Sequence, residues 1–128
     1  MDAAQALAEL VELSSQVERA VVIRADGSVL AATTDDVESA DALARAALDL
    51  VAAAHGLHAG QAVTRVDVEL ADGAVFVLQE GDRTIAATTG PRPTTGLVVY
   101  DLRTCLHRID KEAKPRRKRA VRKPEESE

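Results

Sequence analysis

Tryptophan is absent from this 128-residue chain, and Phe76 and Tyr100 are its only aromatic residues. A core without aromatic bulk must be assembled from Val, Leu, Ile and Ala, and a ring-lined ligand pocket is disfavoured from the outset. Cys105 is the single cysteine, which excludes an intrachain disulfide framework and fits a reducing compartment. No run approaches the roughly 18 apolar residues of a bilayer span. The opening MDAAQALAELVELSS is acidic and regularly polar, unlike a signal peptide. A phosphate-cradling glycine loop is missing as well, so the chain is not expected to bind GTP itself. Together these absences predict a soluble, cytoplasmic protein that is not an enzyme and carries no cofactor.

Charge is unevenly spread. Residues 1–110 hold 8 Lys/Arg against 17 Asp/Glu, a balance of −9, whereas residues 111–128 hold 8 against 4, a balance of +4. The length fits one domain. We therefore divide the chain into an acidic domain over residues 1–112 and a basic tail over residues 113–128, which lacks hydrophobic periodicity and is expected to be disordered.

Along the domain, Ala3 to Gln16 reads as a helix with Leu7, Leu10, Val11 and Ser14 on one face. Val17 to Ala25 carries apolar residues in both phases (Ala20, Val21, Val22, Ile23), the pattern of a central strand covered on both sides. Asp26-Gly27 between this run and SVLAATT signals a hairpin in which both turn residues take positive φ. Asp35 with Glu38 resembles a capping box, placing the next helix start near Asp36; Gly56 or Gly60 would end it. Thr64 to Leu70 alternates, with Val66, Val68 and Leu70 on one side and Arg65, Asp67 and Glu69 on the other. Turns at Asp72-Gly73 and Gly81-Asp82 then make a three-strand meander. After Gly90-Pro91-Arg92-Pro93, Val98, Leu102, Cys105, Leu106 and Ile109 keep helical spacing, with Thr94 or Thr95 as N-cap.

The long alanine-rich helix has two apolar stripes. Leu43, Ala47, Leu50, Ala54 and Leu57 form one, and Ala40, Ala44, Leu48, Val51 and His55 the other. One stripe suffices to dock on a sheet; the second implies another partner, and a further copy of the chain is the simplest one. On that reading a charge at Ala47 should break the pair.

The order αββαβββα, with VERAVVIRADGSVLAAT, the alanine-rich helix and the closing TTGLVVYDLRTCLHRI, resembles the roadblock/dynein-light-chain family, in particular its bacterial members. The resemblance covers Ala3 to about Ile109. It implies an α+β, roadblock/profilin-like architecture: a five-stranded antiparallel sheet with the second helix on one face and the terminal helices on the other. It also implies a homodimer that pairs the second helices and joins the third strands edge to edge. Here that places Leu43, Ala46, Ala47, Leu50, Ala53, Ala54, Val63, Arg65 and Asp67 at the interface. Bacterial relatives are associated with small Ras-like GTPases, so the implied role is a GTPase-regulating adaptor or scaffold.

Other chemistry is weaker. His55 and His58 stand three apart, a spacing open to a shared metal, but nothing completes the ligand set; a helix-end histidine meeting the local dipole accounts for them. Cys105 lies on the apolar stripe of the last helix and reads as a buried hydrophobe. Arg92, held between prolines, and Arg45 could contact a GTPase in trans, though each also reads as a solvated surface residue. The tail residues Arg116, Arg117, Lys118, Arg119, Arg122 and Lys123 could meet an anionic partner. They come without aromatic residues to stack bases and without an apolar face for a membrane, so nucleic acid and stable membrane insertion are disfavoured. A small-molecule sensor domain and an accessory protein acting through the tail are the alternatives.

Overall fold

Asp2 opens the first helix with a capping box: its Oδ1 accepts from the Gln5 backbone N–H at 2.8 Å, and Gln5 Oε1 accepts from the Asp2 N–H at 3.1 Å. Helix α1 (Ala3–Leu13) follows and stops short of the expected Gln16, because the backbone turns extended at Ser14. Ala3, Ala6, Leu7 and Leu10 are its buried residues, and Val11 is 44% exposed. Two alanines, rather than Val11, make the contact face. The computed structural model describes residues 1–110, so the basic segment from Arg116 to Lys123 lies outside the described residues.

The remaining elements are β1 (Val17–Ile23), β2 (Val29–Ala32), α2 (Val37–Leu57), β3 (Arg65–Leu70), β4 (Gly73–Glu80), β5 (Arg83–Thr89) and α3 (Thr95–Arg108). The strands form one antiparallel sheet in the order β2-β1-β5-β4-β3. This is the expected α+β arrangement, five strands and three helices. No helix among the described residues is long and apolar enough to cross a membrane.

Two turns differ from expectation in their chemistry. Between β1 and β2, Arg24 N donates to Ser28 O at 2.8 Å and Gly27 N to Arg24 O at 3.0 Å. Gly27 has φ 91° while Asp26 does not take positive φ. That is a three-residue loop in which only the glycine is left-handed; Asp26 instead accepts from the Ser28 N–H and hydroxyl at 2.9 and 2.6 Å. Between β3 and β4 the turn residues are Ala71 and Asp72, and Gly73 is already in the strand opposite Leu70. A Cβ at Gly73 would lie 2.5 Å from the Thr89 carbonyl oxygen. Glycine is required there by crowding, not by turn geometry. Gly81-Asp82 is a turn as expected, with Gly81 at φ 61°.

Strand alternation distributes the core over two layers. Ala20, Val22, Phe76, Leu78, Ile85 and Ala87 pack with α1 and α3, while Val21, Ile23, Val77 and Ala86 pack with α2. β1 is thus covered on both faces, as its doubly apolar sequence requires. Asp36, one residue after the predicted Asp35, caps α2: its carboxylate accepts from Glu38 N at 3.1 Å and from the Ser39 hydroxyl at 2.8 Å. The Ser39 bond, ahead of the backbone N–H groups, holds the Asp36 carboxyl below its ordinary range. The helix ends at Leu57, so Gly56 lies inside it, and Gly60 takes positive φ three residues later. Thr94 precedes α3 as its N-cap residue, but without a side-chain cap bond; its N–H donates to Gln16 Oε1 at 2.6 Å.

Candidate functional site

Helix α2 has one face fully committed to its own sheet. Ala40, Ala44 and Ala47 are buried, with Ala47 at 0% exposure, against Val21, Ile23, Val77 and Ala86. This corrects the sequence-based stripe: Ala47 belongs to the core of its own chain and offers nothing to a partner. The reason is that alanine, the smallest apolar side chain, allows the helix to lie close to the sheet. Leu43 and Leu50, expected at an interface, are displaced to the flank and are half-buried.

The two flanks can be told apart. Leu48 Cδ1 lies 3.4 Å from where a Cβ on Gly27 would sit, so that flank faces the β1–β2 turn. Leu43 and Leu50, on the other side of the helix at 100° per residue, face β3, whose Val66 packs on the same cluster. Extending this flank outward gives Leu43, Ala46, Leu50, Ala53 and Leu57, a 3-4-3-4 repeat. Ala46 and Ala53 are exposed, and Leu57 is 81% exposed. Ala54 sits half-buried between the core face and this flank. The apolar surface available to a partner therefore runs through Ala46 and Ala53.

Beside this stripe lies the free edge of the sheet. β3 pairs only with β4 among the described residues. The Gln79 N–H donates to Thr64 O at 3.0 Å, which fixes the parity of the strand. Thr64, Val66 and Val68 point their main-chain groups at β4, and Arg65, Asp67 and Glu69 point theirs outward. Arg65 and Asp67 are exposed and form an ion pair at 3.1 Å; Val63, just before the strand, is half-buried. Val66 and Val68 lie opposite Val77 and Val75, on the α2 side of the sheet.

The other candidates are dispersed. Arg45 is exposed on the solvent side of α2. Arg92, in the β5–α3 connection, is exposed and has φ 56°, the only non-glycine residue with positive φ among those described. Between Pro91 and Pro93 its backbone is held in an uncommon conformation. His55 and His58 are exposed, and no three His, Cys, Asp or Glu side chains converge as a metal site among the described residues. His107 is engaged elsewhere: with Arg103 it grips Glu80, at 2.5 Å and 2.8 Å respectively, tying α3 to the end of β4. Separations of 23 and 27 residues gave no local signal of this clasp. Between α1 and α3, a cleft lined by Leu10, Leu13, Asp101, Thr104 and Cys105 encloses about 30 Å³, room for water but not for a cofactor.

Cys105 is 3% exposed, and burial pushes its thiol from 9.0 up to about 11. Between about pH 9 and 11 the folded state keeps a proton that the unfolded state releases, so this contribution is intact below pH 9 and lost as pH rises through the window. The urea midpoint should therefore fall more between about pH 8 and pH 10.5 for the native chain than for Cys105→Ala. Equal decrements would show that the thiol ionises without cost.

The family model of the Roadblock/LC7 domain matches residues 3–89. Solved structures similar to the chain include a Roadblock/LC7 domain from Streptomyces avermitilis, 24% identical with TM-score 0.73, covering 84% of this chain and 93% of that one. The gliding protein MglB from Thermus thermophilus is 18% identical with TM-score 0.66, covering 80% and 82%. MglB in a tetrameric arrangement is 18% identical with TM-score 0.60, covering 80% and 81%. At these identities the likeness speaks for the fold. None of the curated proteins is significantly similar to the chain.

Proposed function

Because this chain belongs to the Roadblock/LC7 domain family, we propose that it is a non-enzymatic, homodimeric adaptor that binds and regulates a small Ras-like GTPase in the cytoplasm. The observation that carries this reading is the adjacency of two incomplete surfaces. A half-exposed apolar stripe (Leu43, Ala46, Leu50, Ala53, Leu57) runs beside an unpaired strand edge (Arg65, Asp67, Glu69). Either alone is a liability in water. A second copy related by a two-fold axis would complete both at once, pairing helix with helix and strand with strand.

The GTPase half of the proposal rests on the resemblance to bacterial roadblock proteins and on the likeness to MglB. Arg45 and Arg92 are the candidate contacts, Arg92 on the stiffer backbone. A sensor role is less well supported: the α1–α3 cleft is too small for a ligand, and the hollow lined by Leu70, Asp72, Val75 and Thr88 has no aromatic wall.

Light scattering at micromolar concentration should give twice the 13.6 kDa protomer mass; a monomer would sink the platform. The dimer should co-elute with a purified small Ras-like GTPase from the same source, with affinity depending on whether GDP or a GTP analogue is bound. If Arg92 supplies a finger, Arg92→Ala should keep binding but lose stimulated hydrolysis, by a factor on the order of 10³. A dimer indifferent to small GTPases in either nucleotide state would overturn the partner assignment.

A further inference from the structure

We infer that the charges on β3 set the register of the dimer, with the two-fold axis passing through Val66. This rests on the homodimer proposed above and adds which residue meets which across the seam.

Parity comes first. In an antiparallel pair, residues that exchange hydrogen bonds face residues of the same kind. Because Thr64 bonds to β4, the edge-directed groups belong to Arg65, Asp67 and Glu69. A two-fold axis across two such edges must then pass through a residue, which lies opposite its own copy, and four positions are within the strand's reach: Arg65, Val66, Asp67 and Val68.

Centring on Arg65 sets Arg65 against the partner's Arg65, two like charges. Centring on Val68 sets Asp67 against the partner's Glu69, twice over. Centring on Asp67 sets Arg65 against the partner's Glu69, which attracts, but brings Asp67 onto the partner's Asp67 at the axis. Centring on Val66 sets Arg65 against the partner's Asp67, and Asp67 against the partner's Arg65, with no like pair opposed. Directly opposed like charges destabilise a ladder, and opposite charges support it.

The surroundings of the strand agree with the charges. Arg65 and Asp67 already pair within one protomer at 3.1 Å, so the Val66-centred seam alternates four charges around the axis. These side chains share the face of the sheet opposite α2, since Leu78 and Phe76 are their β4 partners. On the α2 face, the same register puts Val66 against the partner's Val66 in a close, non-hydrogen-bonded pair, beneath the apolar stripe. Both faces of the seam are then matched in chemistry.

The test is a charge-swap series in the full chain, with the dimer dissociation constant read by sedimentation velocity and folding by circular dichroism. All the altered side chains are exposed, so the fold should survive. Arg65→Asp and Asp67→Arg should each weaken dimerisation roughly tenfold or more, since each turns two attractive pairs into repulsive ones. The double swap, Arg65→Asp with Asp67→Arg, should restore it. Glu69→Arg should have little effect. If instead the double swap stays weak and Glu69→Arg disrupts the dimer, the axis lies at Asp67 and the inference is wrong. If none of the substitutions matters, the β3 edge is not at the seam and the inference fails, although the homodimer reading stands. A native chain that is monomeric at every concentration defeats both. As a second readout, Val66→Cys should cross-link into a covalent dimer on mild oxidation, since the close pair suits a disulfide, and Asp67→Cys should do so far less. The reverse order would also overturn the Val66 axis.

Discussion

Replacing Ala47 by aspartate should abolish folding, while the same change at Ala46 should leave a folded chain that no longer dimerises. The two positions are adjacent in sequence, and the contrast comes from the 100° between them on the helix. Ala47 is fully enclosed by Val21, Ile23, Val77 and Ala86. A carboxylate there has no cationic partner, and an uncompensated buried charge costs roughly 3–5 kcal/mol. That is comparable with the whole stability of a small domain, about 5–15 kcal/mol. Ala46 is exposed, so Ala46→Asp should cost the fold only about 0.5 kcal/mol, mostly through helix propensity. Its penalty falls on the seam, where two aspartates would meet within an apolar stripe. Circular dichroism and light scattering on the pair of variants decide the matter. A folded monomer from Ala47→Asp would return the seam to the stripe read from sequence alone.

Phe76→Ala is expected to be the most damaging truncation of the sheet's other face. Phe76 is the only phenylalanine and is 2% exposed, packed in the layer between the sheet and helices α1 and α3. Its neighbours on either strand are Asp67 and Ala87, and Ala20 and Ala74 belong to the same cluster. Small side chains on a strand paired along both edges cannot collapse into the space left by a ring. The loss should therefore sit in the usual range for Phe→Ala, about 3–5 kcal/mol. With a urea slope of about 1–3 kcal/mol per molar, the midpoint should drop by at least roughly 1 M at unchanged slope. An unaltered midpoint would mean that the ring contributes little to the core.

Much of the architecture was legible in the residues. The doubly apolar phase of Val17–Ile23, the alternation of Arg65–Leu70 and the helical period of Val98–Leu106 each report local geometry directly. The places where the reading slipped are those where contacts remote in sequence decide. Gly73 looks like a turn residue until Thr89 is seen pressing on it. Val11 looks like a core residue until the alanines of α1 are found to be nearer the sheet. The interface was half legible: the need for a second apolar partner surface could be read from the helix, but the choice of stripe could not. Both stripes satisfy helical spacing, and only the position of the sheet beneath α2 tells them apart. The outward parity of Arg65 and Asp67 was equally hidden, because it depends on a hydrogen bond to Gln79 on the next strand.

The alanines beneath α2 have an evolutionary consequence. Ala40, Ala44 and Ala47 set how near the helix lies to its sheet, and hence how high the outer stripe stands relative to the β3 edge. A drift to valine at one of them would satisfy a hydrophobicity scale yet raise the helix, parting two copies that must close along helix and strand together. Such sites answer to two selective pressures, the protomer's own core and the fit between mates. Tolerance to substitution should therefore be narrower at these three alanines than at the equally apolar but exposed Leu13.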